Sequence, residues 1–389
     1  MKTLFIIVFF IDSKNIHVIL IIENKKRSDL MSINYRKEIE DLKPYKPGKP
    51  IEDVKREYKL DRVIKLASNE NPLGYSKKVK EVLINSLDNL ALYPDGNATA
   101  LKEALSGKLN VSTDNILIPS GSDEMIDLIS KAYIAPEDEI IMADITFPRY
   151  IATTEMMGGT PVIVPLKDFT FDLDGILNKI TDKTKIIWIC NPNNPTGTMV
   201  TEAELVEFFD KVPENVLIAY DEAYREFVTR DDYPMDSVKF TKKYPNVLIM
   251  RTFSKAYGLA GIRVAYAIGA KDIIENINKV RGPFNVNTLG QIAAIAALED
   301  EDFVEEIYKV NLEGKNYLYE EFKKLGFEFP ESETNHIYVN VERSAEEIFV
   351  ELQKRGVIIR PMGGTWIRVS IGTMEENKIF VEKLKEVLG

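Results

Sequence analysis

The amino-acid sequence predicts an α/β fold, in which a large domain with a doubly wound, mostly parallel sheet precedes a small α/β domain. Short apolar runs without polar alternation recur along the chain, as in Lys185–Cys190, Val216–Tyr220 and Asn246–Met250. Strands that are covered by helices on both faces have this pattern. Helix-like segments separate the runs, and repeated βα units of this kind build a mostly parallel sheet.

The composition limits what the chain can do. Its 389 residues are 45% hydrophobic and 29% charged, which is ordinary for one large and one smaller globular domain. The net charge of -11 argues against a nucleic-acid-binding surface. The single cysteine, Cys190, excludes an internal disulfide and fits a reducing cytoplasm. With only two histidines besides, a His/Cys metal site is not expected.

The first thirty residues differ from the rest of the chain. Two apolar runs, Leu4–Ile11 and Ile16–Ile22, are interrupted by the polar segment Asp12–Lys14. Neither run is long enough to span a bilayer as a helix, and no small-x-small cleavage site follows them. We expect residues 1–30 to be a non-native extension, with Met31 as the true start. A genuine strand-like or membrane-attached extension is the alternative.

Residues 31–75 are predicted to form an N-terminal arm. The segment from 34 to 60 is polar and contains three prolines, which suits an extended chain that ends in a short helix, Ile51–Tyr58. A short strand, Val63–Ala67, follows. An arm that packs on nothing local often packs on a partner subunit.

Residues 76–285 are predicted to form the large domain. Ser120–Glu124 introduces an apolar helix, Met125–Tyr133, and Leu205–Phe209 lies on a helix that connects two strands. Two further strands precede the three apolar runs named above, and they are Glu139–Asp144 and Pro161–Pro165.

Residues 286–389 are predicted to form the small C-terminal domain. Its first part, Leu289–Ile307, is alanine-rich and helical, and a long helix is expected to continue from it over Tyr308–Leu325. The rest alternates between the strands His336–Asn340 and Trp366–Ser370 and the helices Ala345–Lys354 and Met374–Leu388.

Lys255 is the candidate catalytic residue that the sequence marks most clearly. It follows an apolar strand, in a turn rich in glycine and alanine, with Thr252 and Ser254 before it and Arg263 eight residues after it. This grouping suits a lysine that forms a Schiff base with pyridoxal 5'-phosphate (PLP), while the hydroxyls and the arginine bind the phosphate. A surface lysine is the alternative, and these neighbours argue against it.

Three polar residues near the ends of two other strands could contact the same cofactor. Asp221 could pair with the protonated pyridine nitrogen, although a helix-capping aspartate is the simpler alternative. Tyr224 could hydrogen-bond the phenolic oxygen, or be a core tyrosine. Asn194 could bond that oxygen from the other side, or belong to an ordinary turn.

Other candidates come from helix starts, aromatic residues and arginines. Gly121, Ser122 and Asp123 begin a helix, where free backbone N–H groups suit an anion, or where Ser and Asp simply cap the helix. Phe147 could stack on the cofactor ring, or lie in the core. Arg360 and Arg368 flank a glycine turn and could bind anionic substrate groups, with surface solvation as the alternative.

Together these motifs resemble the fold-type I PLP-dependent aminotransferases, from about Leu42 to the C-terminus. Within that superfamily the resemblance is to the histidinol-phosphate aminotransferase family of class II. The finer match rests on segments 42–50, 65–74, 93–96, 191–197, 251–263, 332–335 and 356–360, which include Asn-Pro-Asn-Asn-Pro-Thr-Gly and Ser-Asn-Glu-Asn-Pro-Leu-Gly.

The resemblance implies a role for each candidate. Lys255 carries PLP, Asp221 pairs with the pyridine nitrogen, and Tyr224 and Asn194 touch the phenolic oxygen. The residues implied to hold the phosphate are Ser122, Asp123, Thr252, Ser254 and Arg263. Tyr93 reaches into the site from the other subunit of a homodimer. The residues implied to bind substrate are Arg368, which accepts a carboxylate, Arg360 and Tyr45, which help to seat a phosphate, and Asn69.

Two positions depart from the family pattern. Phe147 stands where a tyrosine is expected, which keeps the stacking but loses the hydroxyl. His336 stands where an aromatic residue is expected, and the sequence indicates no role for it. The loop between Arg360 and Arg368 is short.

The resemblance implies a cytoplasmic, homodimeric PLP enzyme that transfers an amino group between L-histidinol phosphate and 2-oxoglutarate in histidine biosynthesis, by a ping-pong mechanism. An aromatic amino-acid aminotransferase and a threonine-phosphate decarboxylase are the alternatives among enzymes. A PLP-binding regulatory or structural protein without catalysis is the alternative from another class, against which Lys255, Asp221 and Arg368 argue.

Overall fold

The structure is a computed structural model that describes residues 4–11, 16–23, 35–42, 44 and 48–389. The predicted start at Met31 and the predicted substrate contact of Tyr45 lie outside these residues. The chain divides into two compact units, residues 1–43 and residues 44–389.

The first unit contains an antiparallel strand pair. Strand β1 (Leu4–Ile11) pairs with β2 (Ile16–Glu23) over their whole length. Both apolar runs of the N-terminus are therefore strands, while the proposal that they are non-native stays a prediction. None of the helices in the described part of the chain has the length and apolarity that a membrane span requires.

The second unit alternates helices and strands. Its helices are α1 (Ile51–Tyr58), α2 (Lys77–Asn85), α3 (Thr99–Leu109), α4 (Gly121–Tyr133), α5 (Arg149–Met156), α6 (Leu173–Leu177), α7 (Glu202–Lys211), α8 (Val238–Lys243), α9 (Lys271–Asn278), α10 (Thr288–Leu298), α11 (Glu301–Lys324), α12 (Ala345–Lys354) and α13 (Met374–Leu388). Its strands are β3 (Ile64–Lys65), β4 (Ile116–Leu117), β5 (Glu139–Ala143), β6 (Thr160–Val164), β7 (Thr184–Cys190), β8 (Leu217–Asp221), β9 (Val247–Thr252), β10 (Ala265–Ile268), β11 (His336–Asn340), β12 (Val357–Ile358), β13 (Arg360–Pro361) and β14 (Trp366–Ser370).

A seven-stranded sheet forms the centre of the second unit. Its strand order is β4-β10-β9-β8-β7-β5-β6. Strands β5 to β9 pair in parallel, and β10 pairs antiparallel with both β9 and β4. The prediction of a large, mostly parallel α/β sheet is confirmed. The antiparallel strand β10 was not anticipated from the sequence.

A smaller three-stranded sheet has the order β11-β14-β13 and is antiparallel throughout. Strand β12 pairs instead with β3, so the segment before the large sheet is tied to the C-terminal part of the chain. These two sheets place β14 beside the N-terminal loop that follows β3, and both elements contribute to the site described below.

Two apolar clusters make up most of the core. The larger one surrounds the seven-stranded sheet and includes Trp188 and Tyr220, and the smaller one surrounds the three-stranded sheet and includes Phe322 and Phe380. The buried alanines of α10 belong to the larger cluster, although the sequence places this helix in the small domain. The boundary at residues 285 and 286 stays a prediction.

The expected continuous helix from Leu289 to Leu325 is wrong in one respect, because the chain breaks between α10 and α11. Asp300 has a non-helical backbone, with φ -111° and ψ 70°. Its carboxylate accepts a hydrogen bond from Ser76, and Lys78 donates to the Glu299 carbonyl at 2.9 Å. The start of α2 thus satisfies polar groups that a continuous helix would have used internally.

Candidate active site

The carboxyl ends of the parallel strands converge on one cavity of about 210 Å³. This is where open α/β sheets place their ligands. Thirteen of the fifteen residues predicted for the site line it, and they are Asn69, Ser122, Asp123, Phe147, Asn194, Asp221, Tyr224, Thr252, Ser254, Lys255, Arg263, Arg360 and Arg368. The tertiary fold therefore brings together residues that are up to about three hundred positions apart.

Tyr93 does not line this cavity within the single chain. Its side chain is 82% exposed, and its ring stacks on Phe284 with 4.7 Å between ring centroids. The second missing residue, Tyr45, lies outside the described residues. A contact of Tyr93 with the site of a second subunit stays a prediction.

Lys255 lines the cavity and lies in the turn that follows β9. Its Nζ donates a hydrogen bond to the Ser68 carbonyl at 3.2 Å and lies 5.8 Å from the centre of the Tyr224 ring. Burial, assisted by the positive charges of Arg368 and Arg263, lowers the pKa of the amine to about 8. A substantial fraction of the lysine is therefore neutral and nucleophilic near physiological pH.

Asp221 is the last residue of β8 and is buried. Its Oδ2 accepts a hydrogen bond from the Tyr150 hydroxyl at 2.7 Å, and its Oδ1 accepts from the backbone N–H of Ala223 at 3.1 Å. Burial raises the pKa of the carboxyl to about 6, and these two hydrogen bonds oppose the shift. A cation placed against this carboxylate would lower its pKa and keep it ionised.

Tyr150 is a residue of the site that the sequence did not predict. It is fully buried on α5, stacks on Trp188 with 4.6 Å between ring centroids, and meets Phe147 edge-on at 5.7 Å. Tyr150 lies three residues after Phe147, at a helix start that follows a strand, and this position could have indicated a site residue. However, the sequence contains no sign that its hydroxyl would reach Asp221, which lies on another strand.

Tyr224 belongs to a buried polar cluster that reaches into the cavity. Its hydroxyl accepts a hydrogen bond from Asn69 Nδ2 at 2.9 Å, and the same Nδ2 lies 2.9 Å from His336 Nδ1. The Tyr224 and His336 rings meet edge-on with 5.1 Å between centroids. Burial raises the pKa of the Tyr224 hydroxyl, so it stays protonated.

An anion-binding cradle closes one end of the cavity. Helix α4 begins at Gly121, and the Arg263 guanidinium lies beside this helix start, 3.7 Å from the Asp123 carboxylate. Gly121 has φ +86°, a backbone conformation that favours glycine, and the end of the Arg263 side chain lies where a Cβ would be. Helix N-termini and arginine both favour phosphate groups.

Two hydroxyls, Thr252 and Ser254, line the same cavity in the turn after β9. The Ser254 backbone N–H donates to Thr252 Oγ1 at 3.1 Å, which fixes the turn between them. The residues of the cradle thus have the donors that the phosphate of PLP requires. The buried Asp221 carboxylate suits the ring nitrogen of PLP, and the Lys255 amine suits its aldehyde. The chain's own residues fit this cofactor.

Arg368 lines the same cavity as Lys255 and is held by two hydrogen bonds. Its Nη1 donates to Asn194 Oδ1 and its Nη2 donates to the Ala67 carbonyl, both at 2.7 Å. Because the Asn194 oxygen receives Arg368, the amide nitrogen of Asn194 is the atom that can donate to a ligand. Arg360 stands directly opposite Arg368 in the β13–β14 pair.

The comparisons with known proteins agree with this chemistry. Residues 61–384 match the family described as aminotransferase class I and II. A protein from Caldicellulosiruptor saccharolyticus named histidinol-phosphate aminotransferase is 46% identical over 358 residues, which cover 91% of this chain and 100% of that protein. A protein of the same name from Bacillus subtilis is 44% identical over 358 residues, which cover 91% of this chain and 99% of that protein.

A solved structure shows the same fold. It is the crystal structure of histidinol-phosphate aminotransferase from Sinorhizobium meliloti in complex with pyridoxal-5'-phosphate, with a TM-score of 0.85 and 27% sequence identity. The likeness covers 92% of this chain and 98% of that one.

Proposed function

The chain belongs to the class I and II aminotransferases, and we propose that it transfers an amino group between L-histidinol phosphate and 2-oxoglutarate, a step of histidine biosynthesis. Two relatives named histidinol-phosphate aminotransferase match 91% of its length. Pyridoxal phosphate is the cofactor, as in the structure from Sinorhizobium meliloti.

One structural observation supports this substrate class most directly. Arg360 and Arg368 are cross-strand partners that both line the cavity containing Lys255. Like charges directly opposite one another in a sheet are unfavourable, and anionic ligands offset this cost. Histidinol phosphate presents a phosphate away from the reacting carbon, and 2-oxoglutarate presents one carboxylate beside that carbon and one at its far end, so both fit a site with two arginines.

The proposed roles divide the cavity into two ends. At the cofactor end, Ser122, Asp123, Thr252, Ser254 and Arg263 hold the phosphate, and Phe147 covers the ring. Asp221 holds the ring nitrogen, and Tyr224 and Asn194 contact the phenolic oxygen. At the substrate end, Arg368 takes the carboxylate of the keto acid, and Arg360 and Tyr45 serve the phosphorylated amine. Asn69 borders this end, and its amide is engaged by Tyr224, His336 and Ser370.

When bound, PLP supplies an electron sink that lets the Cα–H bond of the amino donor break. Lys255 Nζ would accept the Cα proton of the donor and deliver it to the former aldehyde carbon of the cofactor, because its amine has a pKa of about 8 and can exist in both protonation states near neutrality. Asp221 stays ionised against the ring nitrogen, and the Tyr150 hydroxyl bond keeps its carboxylate in one orientation. Arg368 fixes the distance between the substrate anion and Lys255.

We further propose that the enzyme is a cytoplasmic homodimer. The exposed Tyr93 and its stacking partner Phe284 form an apolar surface, and this surface would be covered by a second subunit. The single buried cysteine accords with a reducing compartment.

A half-reaction tests the proposed function. The purified, cofactor-loaded enzyme is mixed with L-histidinol phosphate alone, and the visible absorbance of the cofactor is followed. We expect the absorbance to be lost promptly and to return when 2-oxoglutarate is added. Conversion by phenylalanine or tyrosine, but not by histidinol phosphate, would instead assign an aromatic aminotransferase. Release of carbon dioxide from threonine phosphate, with no keto acid added, would indicate a threonine-phosphate decarboxylase.

The variant Arg360→Met tests the phosphate end separately. We expect it to lose about 10- to 100-fold in kcat/KM for histidinol phosphate, as for a lost charge-assisted hydrogen bond, and to retain its half-reaction with glutamate. Arg56→Met is the matched control, since that arginine is exposed on α1 and pairs only with Asp53 in the described structure. Equal losses with both substrates would remove Arg360 from its proposed role.

A further inference from the structure

We infer that His336 is a positioning residue, which acts through the Asn69 amide to direct the Tyr224 hydroxyl proton into the cavity. The three side chains come from the loop after β3, the turn after β8 and the start of β11, and they are buried to at least 97%. The inference rests on PLP as the cofactor of the proposed function, and it does not depend on the amino donor.

The orientation of the Asn69 amide is set from both ends. Asn69 Oδ1 accepts a hydrogen bond from Ser370 Oγ at 3.0 Å. The Asn69 backbone N–H donates to the same Ser370 Oγ at 2.8 Å. The Ser370 hydroxyl thus accepts from the Asn69 backbone and donates to the Asn69 side-chain oxygen. The two hydrogens of Asn69 Nδ2 are then left for Tyr224 and His336.

His336 supplies the acceptor that this arrangement needs. Asn69 Nδ2 carries only donors, so His336 Nδ1, 2.9 Å away, presents its lone pair to it. The Thr334 hydroxyl lies 3.0 Å from the same nitrogen and donates to the His336 carbonyl at 3.1 Å. The ring proton is then on the buried Nε2, where the Pro195 backbone carbonyl favours it. Burial, together with the positive charges of Arg368 and Lys255, lowers the pKa of the imidazole well below its ordinary value, which keeps the ring neutral. A phenyl ring at this position would have no acceptor for Asn69.

This arrangement determines where the Tyr224 hydroxyl proton points. Its oxygen accepts from Asn69, so its own proton is available to a ligand in the cavity rather than to Asn69. A hydroxyl that donates to the phenolic oxygen of the cofactor stabilises the anionic form of that oxygen and lowers the pH at which the bound cofactor titrates. Without His336, the amide can turn its oxygen toward Tyr224 and withdraw that proton.

A spectral titration tests the inference without using activity. The visible absorbance of the loaded enzyme is titrated for wild type, His336→Phe, His336→Asn, Tyr224→Phe and the double variant His336→Phe/Tyr224→Phe. We expect His336→Phe to raise the midpoint by about 1 pKa unit, a tenfold change in proton affinity. His336→Asn keeps an oxygen acceptor near Nδ1 and is expected to titrate like wild type. The double variant is expected to match Tyr224→Phe, because His336 acts only through that hydroxyl.

The charged groups that face Tyr224 and Lys255 are left in place by these variants, and they are Glu70, Asp123, Asp221, Arg263 and Arg368. Three results would overturn the inference. His336→Phe could leave the midpoint unchanged, or it could shift the midpoint by the same amount with and without the Tyr224 hydroxyl. His336→Asn could also shift the midpoint as much as His336→Phe does. A protein that titrates as expected but ignores histidinol phosphate would refute the proposed function and leave this inference standing.

A second variant covers the case in which His336→Phe does not fold. Asn69 has φ +56°, which aspartate also tolerates, so Asn69→Asp keeps the backbone while it presents an acceptor to Tyr224. We expect the same upward shift in midpoint, with most of it lost in the Tyr224→Phe background. A shift that persists there would reflect only the added charge and would count against the inference.

Discussion

Removing the Tyr150 hydroxyl should make the stability of the cofactor-free protein depend on pH in a defined way. In the native protein this hydroxyl donates to Asp221 Oδ2 at 2.7 Å, within a fully buried site. Tyr150→Phe keeps the ring stacked on Trp188 and removes only the hydrogen bond. The Asp221 carboxylate then keeps its burial and loses its strongest donor.

The size and sign of the effect follow from the pKa of Asp221. Burial raises this pKa to about 6, above its ordinary value, so the native state binds more protons than the unfolded state between about pH 4 and pH 6. Stability from this group is therefore present at low pH and is lost as the pH rises through 6. A hydrogen bond to a charged acceptor contributes about 1.5–3 kcal/mol, so its loss raises the pKa by about 1 unit or more, to roughly 7.

The assay is urea unfolding of the cofactor-free protein at pH 5 and pH 8, at one protein concentration. At pH 5 Asp221 is mostly protonated in both proteins, and at pH 8 it is ionised in both. The free energy of unfolding of Tyr150→Phe should therefore fall by about 1.4 kcal/mol more at pH 8 than at pH 5. Tyr319→Phe is the control, since among the described residues its hydroxyl bonds only the Ser332 backbone. Equal losses at the two pH values would refute the reasoning.

Three further predictions concern the cofactor and substrate ends of the cavity. The rate at which cofactor-free protein binds PLP again should rise with pH and reach half its maximum near pH 8. The neutral Lys255 amine is the nucleophile, and its pKa is lowered to about 8. A midpoint near the ordinary pKa of lysine would contradict this. Arg368→Met should lower kcat/KM for 2-oxoglutarate by roughly 10- to 100-fold in steady-state kinetics, while PLP binding is retained. Gly121→Ala should weaken PLP binding at least about tenfold in equilibrium titrations, since its φ of +86° strains a residue with a Cβ and the Arg263 guanidinium would have to shift, whereas the control Gly326→Ala, with φ +74° and nothing within 4 Å, should bind normally.

Much of the fold and the site could be predicted from the sequence, because the relevant signals are local. Unalternating apolar runs identified the parallel strands, and the polar residues just beyond them had to meet at one edge of the sheet. Lys255 and its phosphate-binding neighbours lie within one twelve-residue segment, so their grouping can be recognised from residue order alone. The helix break at Asp300 escaped prediction because it depends on Ser76 and Lys78, which are distant in sequence.

The sequence by itself determined the fold class, the cofactor chemistry and the family of this protein, since each of these depends on residue types at short, fixed spacings. Only the tertiary structure decided which polar groups control the catalytic ones. Tyr150 reaches Asp221 across the sheet, and Asn69, Tyr224 and His336 meet from three separate segments. A hydrogen bond needs two atoms within about 3 Å in the right direction, and chain spacing does not specify that distance for residues on different elements.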